Sequence, residues 1–227
     1  MTDRADELLN QFLDANGGRA NWAALRNRVY RGQAVHPMQT TEPDYACTIS
    51  IELPSSYRRD VETATGRSIT VTDGVTTWLQ EDNGPAQVLD AAAAGKFAGQ
   101  RDKEIPFLDY QAKGFTLVDD GEEVLDGRRC HRLVLTQRNG NLREELIDAE
   151  TFAWIGERLI TRSPDGDVVL LQVFHDHRNV AGLTFPFQVD RLVGDSLVSR
   201  LQIEEMSINT DLGDQWFAAP VSVASNL

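Results

Sequence analysis

Residues 47–56 read Cys47-Thr48-Ile49-Ser50-Ile51-Glu52-Leu53-Pro54-Ser55-Ser56, and this stretch decides the fold class. From Cys47 to Leu53 apolar and polar side chains alternate with a period of two, as in a strand with one face on a core. Pro54 has no backbone N–H to give to a neighbour, and with the two serines after it the strand ends in a turn. Outward from here the pattern recurs. Ile69 and Val71, then Leu133 and Leu135, alternate with polar neighbours, while a weaker first strand sets Val29, Arg31 and Gln33 against Tyr30, Gly32 and Ala34. Thr65-Gly66, Asp73-Gly74, Asn83-Gly84-Pro85, Asp126-Gly127, Asn139-Gly140-Asn141, Pro164-Asp165-Gly166 and Ala181-Gly182 separate these runs. Asp-Gly and Asn-Gly pairs accept the positive φ of tight hairpins, so the spacing predicts a long antiparallel meander.

Two segments break the alternation. Leu8, Leu9, Phe12 and Leu13 recur at helical spacing between Asp3 and Asn16, and Asn16-Gly17-Gly18 ends that helix. Trp22 and Leu25 fit a second short turn on the same core. Near the middle, Ala91 to Ala98 and Pro106 to Ala112 read as helices, with Pro106 at a favoured entry position. No Pro/Ser-rich linker or internal repeat interrupts the chain, so one domain over 1–227 is expected. A strongly curved sheet has an inner face larger than its own side chains fill, and helices or an apolar ligand take up the remainder.

The chain carries 22 basic and 35 acidic side chains, a formal charge of −13, which argues against nucleic-acid binding because phosphate affinity comes from Lys and Arg. With 41% hydrophobic and 25% charged residues it has the composition of a folded globular chain. No run approaches the ~18 apolar residues of a membrane span. Met1–Asn10 lacks the apolar stretch of a signal peptide. Either the chain is cytoplasmic, with Met1 the native start, or a leader has been removed.

Signals for chemistry are sparse. There is no phosphate loop, dinucleotide fingerprint, His-Glu-x-x-His motif or Gly-x-Ser-x-Gly elbow, so no catalytic residue and no cofactor is expected. The pairs Asp119-Asp120, Glu122-Glu123, Glu144-Glu145 and Glu204-Glu205 read as solvated edge charges, since strand neighbours point to opposite faces. His175-x-His177 shares a strand face, but two imidazoles fall short of a zinc site, so no metal is expected. His36 and His131 are isolated. Cys47 and Cys130 lie in strands, and either a disulfide or two buried thiols is consistent with their spacing. Tyr57, Trp78, Phe97, Phe107, Tyr110, Trp154 and Phe174, with Leu108, either fill a core or line an acyl-chain cavity.

Two stretches resemble the LolA-like family of outer-membrane lipoprotein-sorting proteins. One is Leu53-Pro54-Ser55-Ser56-Tyr57-Arg58-Arg59 with the hairpin Asp73-Gly74-Val75-Thr76-Thr77-Trp78. The other runs from Asp148-Ala149-Glu150-Thr151 through Val180-Ala181-Gly182-Leu183-Thr184-Phe185-Pro186 to Asn209-Thr210-Asp211-Leu212-Gly213-Asp214-Gln215-Trp216-Phe217-Ala218-Ala219-Pro220.

The resemblance covers about Asp6 to Pro220 through turn and core signatures. It implies a mainly β (α+β) fold: a strongly curved, incomplete antiparallel barrel with an N-terminal helix and middle lid helices on a concave, apolar face. It also implies a non-catalytic, periplasmic monomer that carries lipid or lipoprotein acyl chains, with Arg28 or Arg31 standing where the family's carriers latch the lid. Two other readings stand beside this one. In the first the chain is an envelope protein-interaction or sensor module. In the second it is a hydrolase-type enzyme using His131, His175 or His177.

Overall fold

The computed structural model describes residues 4–37, 43–91, 93–94, 107–138, 140–161 and 167–220. Two helices, α1 (Arg4–Ala15) and α2 (Arg19–Ala23), precede thirteen strands: β1 (Asn27–Val35), β2 (Tyr45–Glu52), β3 (Ser56–Glu62), β4 (Arg67–Thr72), β5 (Thr77–Glu81), β6 (Gln87–Val88), β7 (Thr116–Leu125), β8 (Arg128–Thr136), β9 (Leu142–Asp148), β10 (Trp154–Thr161), β11 (Val168–Val180), β12 (Leu183–Val193) and β13 (Ser196–Ile208). They hydrogen-bond in the order β6-β5-β4-β3-β2-β1-β13-β12-β11-β10-β9-β8-β7, a single open antiparallel sheet. The mainly β, unclosed fold is the expected one. By their contacts the residues form two units, one of 1–24, 36–40 and 105–202 and one of 25–35, 41–104 and 203–227.

In the first unit α1 buries Ala5, Leu8, Leu9, Phe12 and Leu13, the stripe its spacing predicts. At its end the Asn16 side-chain amide donates to Phe12 O and to Phe152 O, both at 2.8 Å, tying the helix to the loop before β10. Gly17 sits at φ +115°, and a Cβ there would lie 2.1 Å from the Gly182 carbonyl oxygen, so only glycine allows the β11–β12 turn to pass so close. Trp22 of α2 packs edge-on to Phe185 at 5.2 Å.

In the second unit, register places Cys47, Ile49, Ile51, Tyr57 and Val61 on one face and Ser50, Arg58, Asp60, Ile69, Val71 and Trp78 on the other. Ile69 to Thr72 are all buried, so both faces of β4 are covered. The segment after β13 is clasped to the start of β1: Asn27 Nδ2 donates to Thr210 O (2.8 Å), Thr210 N to Asn27 Oδ1 (2.9 Å), and Arg26 N to Asn209 Oδ1 (2.7 Å). Further on, Trp216 lies over the Arg58 guanidinium at 4.9 Å and accepts a bond from it at 3.2 Å through its carbonyl oxygen. The Tyr57-Arg58-Arg59 motif and the C-terminal aromatic motif, far apart in the chain, therefore meet.

One expectation is overturned. Of the expected helix Pro106 to Ala112, Pro106 lies outside the described residues and the rest is not helical: residues 107–114 form successive turns, with Asp109 at φ +54° breaking the helical path. Gly114 N bonds Gln111 O at 2.9 Å and Phe115 N bonds Tyr110 O at 2.9 Å, closing the turns onto β7. Of Ala91 to Ala98, Ala91, Ala93 and Ala94 are helical, with Ala93 N capped by the Asp90 carboxylate at 2.8 Å; the rest lies outside the described residues.

Candidate functional site

The first unit gathers an aromatic face. Phe12 of α1 stands edge-on to Phe107 (4.9 Å, 84°) and Trp154 (6.2 Å, 88°), and Trp154 stands edge-on to Phe174 (4.9 Å, 73°). A β-bulge aims Trp154: the register shifts between Trp154 and Gly156, so Trp154 opposite Ile147 and Glu157 opposite Glu145 face the same way. Phe107 is fully buried, Leu108 is half-buried, and the Tyr110 hydroxyl donates to Asp6 Oδ1 at 3.0 Å, a second polar tie to α1.

A charged quartet lies in the same face. Arg143 Nε donates to Glu145 Oε1 at 2.6 Å, the Arg143 guanidinium also pairs with Glu157, and Gln172 Nε2 donates to Glu157 Oε1 at 2.6 Å. Glu145 is 0% exposed, with Arg143 at 11% and Glu157 at 8%. Among the described residues Glu145 Oε2 and Trp154 Nε1 are both buried without a hydrogen-bond partner; Trp154 stands near enough to favour the ionised carboxylate, but the two atoms do not meet bonding geometry. Burial pushes the Glu145 carboxyl up to about 7, against the pull of Arg143 and with the push of Glu157.

Sequence reasoning placed Glu144 and Glu145 among edge charges, and the structure corrects this. Strand β9 is interior to the sheet, Glu145 is buried, and Glu144 joins an ion-pair chain on the opposite face through Arg158 (2.7 Å), Glu123, Arg132 and Asp120. Phe12 was read only as part of the apolar stripe of the first helix, and Arg143, Glu157 and Gln172 were not singled out. The available signal was the period-two set Arg143, Glu145, Ile147, which puts two charges on an apolar strand face.

The remaining candidates scatter. Tyr57 is buried with Cys47 and Ile51, whereas Trp78 is on the opposite sheet face, so these two do not line one cavity. Trp78 instead borders a groove of about 920 Å³ in the second unit, with Asp73, Asp211, Asp214, Leu212 and Phe217. Arg28 shares the face of Tyr30; Arg31 is on the other, 3.8 Å from Glu205, beside a 360 Å³ pocket with Arg58, Asp60 and Arg67. Phe97 lies outside the described residues.

The histidines have separate partners. His131 Nδ1 is 3.4 Å from Glu122, His175 Nε2 is 3.6 Å from Asp190, and His177 Nε2 bonds Trp154 O at 2.7 Å, its pKa lowered by burial. Asp190 is in turn held by Arg200 at 2.6 and 2.5 Å. Among the described residues no three His, Cys, Asp or Glu side chains converge as a metal site. Among the described residues neither cysteine is disulfide-bonded, and both are buried.

No protein-family model and no curated protein matches this chain. Solved structures do. A DUF1329 family protein from Desulfovibrio piger superposes with a TM-score of 0.66 at 10% identity, covering 95% of this chain and 98% of that one. An outer membrane lipoprotein-sorting protein domain assigned in Vibrio parahaemolyticus gives 0.63 at 9% identity (93% and 95%). A LolA superfamily protein from Nitrosomonas europaea gives 0.62 at 14% identity (94% and 97%). Matched along nearly its whole length and theirs, this chain has the LolA-like fold.

Proposed function

We propose that the chain is a non-catalytic, monomeric periplasmic protein that binds lipid or lipoprotein acyl chains, with α1 as the displaceable cover of the binding face. The observation that supports this is the face around Trp154 and Phe174, closed by one amphipathic helix and the 107–115 turns. Phe12 of that helix occupies the space a hydrocarbon chain would take. Two polar ties from other segments fasten α1 there, Tyr110 to Asp6 and Asn16 to Phe152. Each buried methylene contributes about 0.8 kcal/mol, so one long acyl chain competes with a phenylalanine side chain. Release follows from any partner that favours the uncovered state. The sorting role named for the Vibrio relative agrees with this reading.

The test is native mass spectrometry with lipid extraction on protein secreted into the periplasm of a Gram-negative host. A co-purifying phospholipid, fatty acid or lipopeptide is the expected result. An apo mass unchanged by added lipid rejects the carrier reading. It then favours a protein-interaction module, for which the Trp78 groove supplies a surface: Glu52, Asp73, Asp211 and Asp214 against the single Arg26, with Trp78 and Phe217, give it a net acidic lining that suits a basic partner segment.

A further inference from the structure

A face built only for hydrocarbon has no use for the Arg143, Glu145, Glu157, Gln172 quartet. With both carboxylates ionised, one guanidinium serves two buried negative charges, and the quartet is one positive charge short. Glu145 Oε2 is fully buried and accepts no bond among the described residues, a costly state for a carboxylate oxygen. The deficit lies where Trp154 joins the quartet to the aromatic cluster, so a chain lying along Phe107, Trp154 and Phe174 would bring its head to Glu145.

We propose that the ligand of this face is an amphiphile with a primary ammonium head, seated between Glu145 and Glu157 with its chain along the aromatic cluster. This rests on the acyl-chain reading above and specifies its ligand class. A primary ammonium brings the missing charge together with three N–H donors. An anionic head meets two carboxylates and is repelled. A quaternary ammonium brings charge but no donor for Glu145 Oε2. Without ligand, Glu145 meets the deficit by holding a proton toward neutral pH, so seating the ammonium releases that proton.

The experiment is isothermal titration of the full chain at pH 7 with dodecylamine, dodecanol and dodecanoate, in two buffers of different ionisation enthalpy. Dodecylamine is expected to bind about tenfold more tightly than dodecanol, the scale of a hydrogen bond to a charged group, with dodecanoate weakest and protons released on dodecylamine binding. Glu145→Gln is expected to bring dodecylamine within about twofold of dodecanol and to abolish the proton release. Glu157→Gln shifts the preference in the same direction. The exposed Glu81→Gln, with the same change in net charge, keeps the wild-type preference. Chains that bind regardless of head, or a preference that survives in Glu145→Gln, overturn this proposal and leave the carrier reading standing. Failure of all three probes to bind overturns both.

Discussion

At Glu145 the conflict between burial and charge is sharpest. Burial raises its pKa from 4.5 to about 7, so the folded chain keeps a proton that the unfolded chain has given up. Its effect on stability is therefore unfavourable and grows as pH rises from about 4.5 to about 7, remaining constant above that. Relative to wild type, Glu145→Gln is expected to be more favourable at pH 8 than at pH 5 by about 2–3 kcal/mol, measured by urea unfolding. An equal difference at the two pH values would sink the assignment. Asp148 shows the opposite balance. Burial opposes its ionisation, but bonds from Thr151 N (2.7 Å), Thr151 Oγ1 (2.8 Å) and Glu150 N (3.1 Å) outweigh it and lower the pKa. Those bonds are the physical content of the Asp148-Ala149-Glu150-Thr151 motif: the aspartate folds the turn between β9 and β10.

Helix α1 is legible in the sequence because its apolar residues recur at the helical period and two glycines end it. What it covers is not legible, since the bulge that turns Trp154 toward Phe12 depends on the pairing of β9 with β10. Phe12→Ala is expected to destabilise the protein by about 3–5 kcal/mol, the usual cost of deleting a buried aromatic ring, and to increase binding of a dye such as bis-ANS. Unfolding at the wild-type midpoint with no added dye binding would contradict the role of Phe12 as cover. The second middle helix failed to form because the apolar residues Phe107, Leu108 and Tyr110 belong to turns held by Asp109 and Gly114 at positive φ. A helical period over so few residues does not outweigh turn chemistry.

For the whole chain, the two cysteines give a simple test. Cys47 and Cys130 are buried and not disulfide-bonded among the described residues, and burial raises the Cys130 thiol further above neutrality. Iodoacetamide is expected to modify neither at an appreciable rate until the protein unfolds, and a reducing agent to leave the melting temperature unchanged, as followed by mass spectrometry and calorimetry. A melting temperature that falls on reduction would mean that the thiols are paired. The sequence by itself determined the strands, their hairpins and the first helix, because alternation, turn dipeptides and helical period act over neighbouring residues. It also carried the motifs that mark the LolA-like fold, through the same local turns and cores. Only the tertiary structure decided which aromatic residues share a face, that Tyr57 and Trp78 do not, and that Arg143, Glu145, Glu157 and Gln172 meet inside the protein. Those outcomes depend on the register between strands and on what covers each face, and a burial that turns a carboxylate from solvated charge into unpaired acceptor is a property of neighbours distant in the chain.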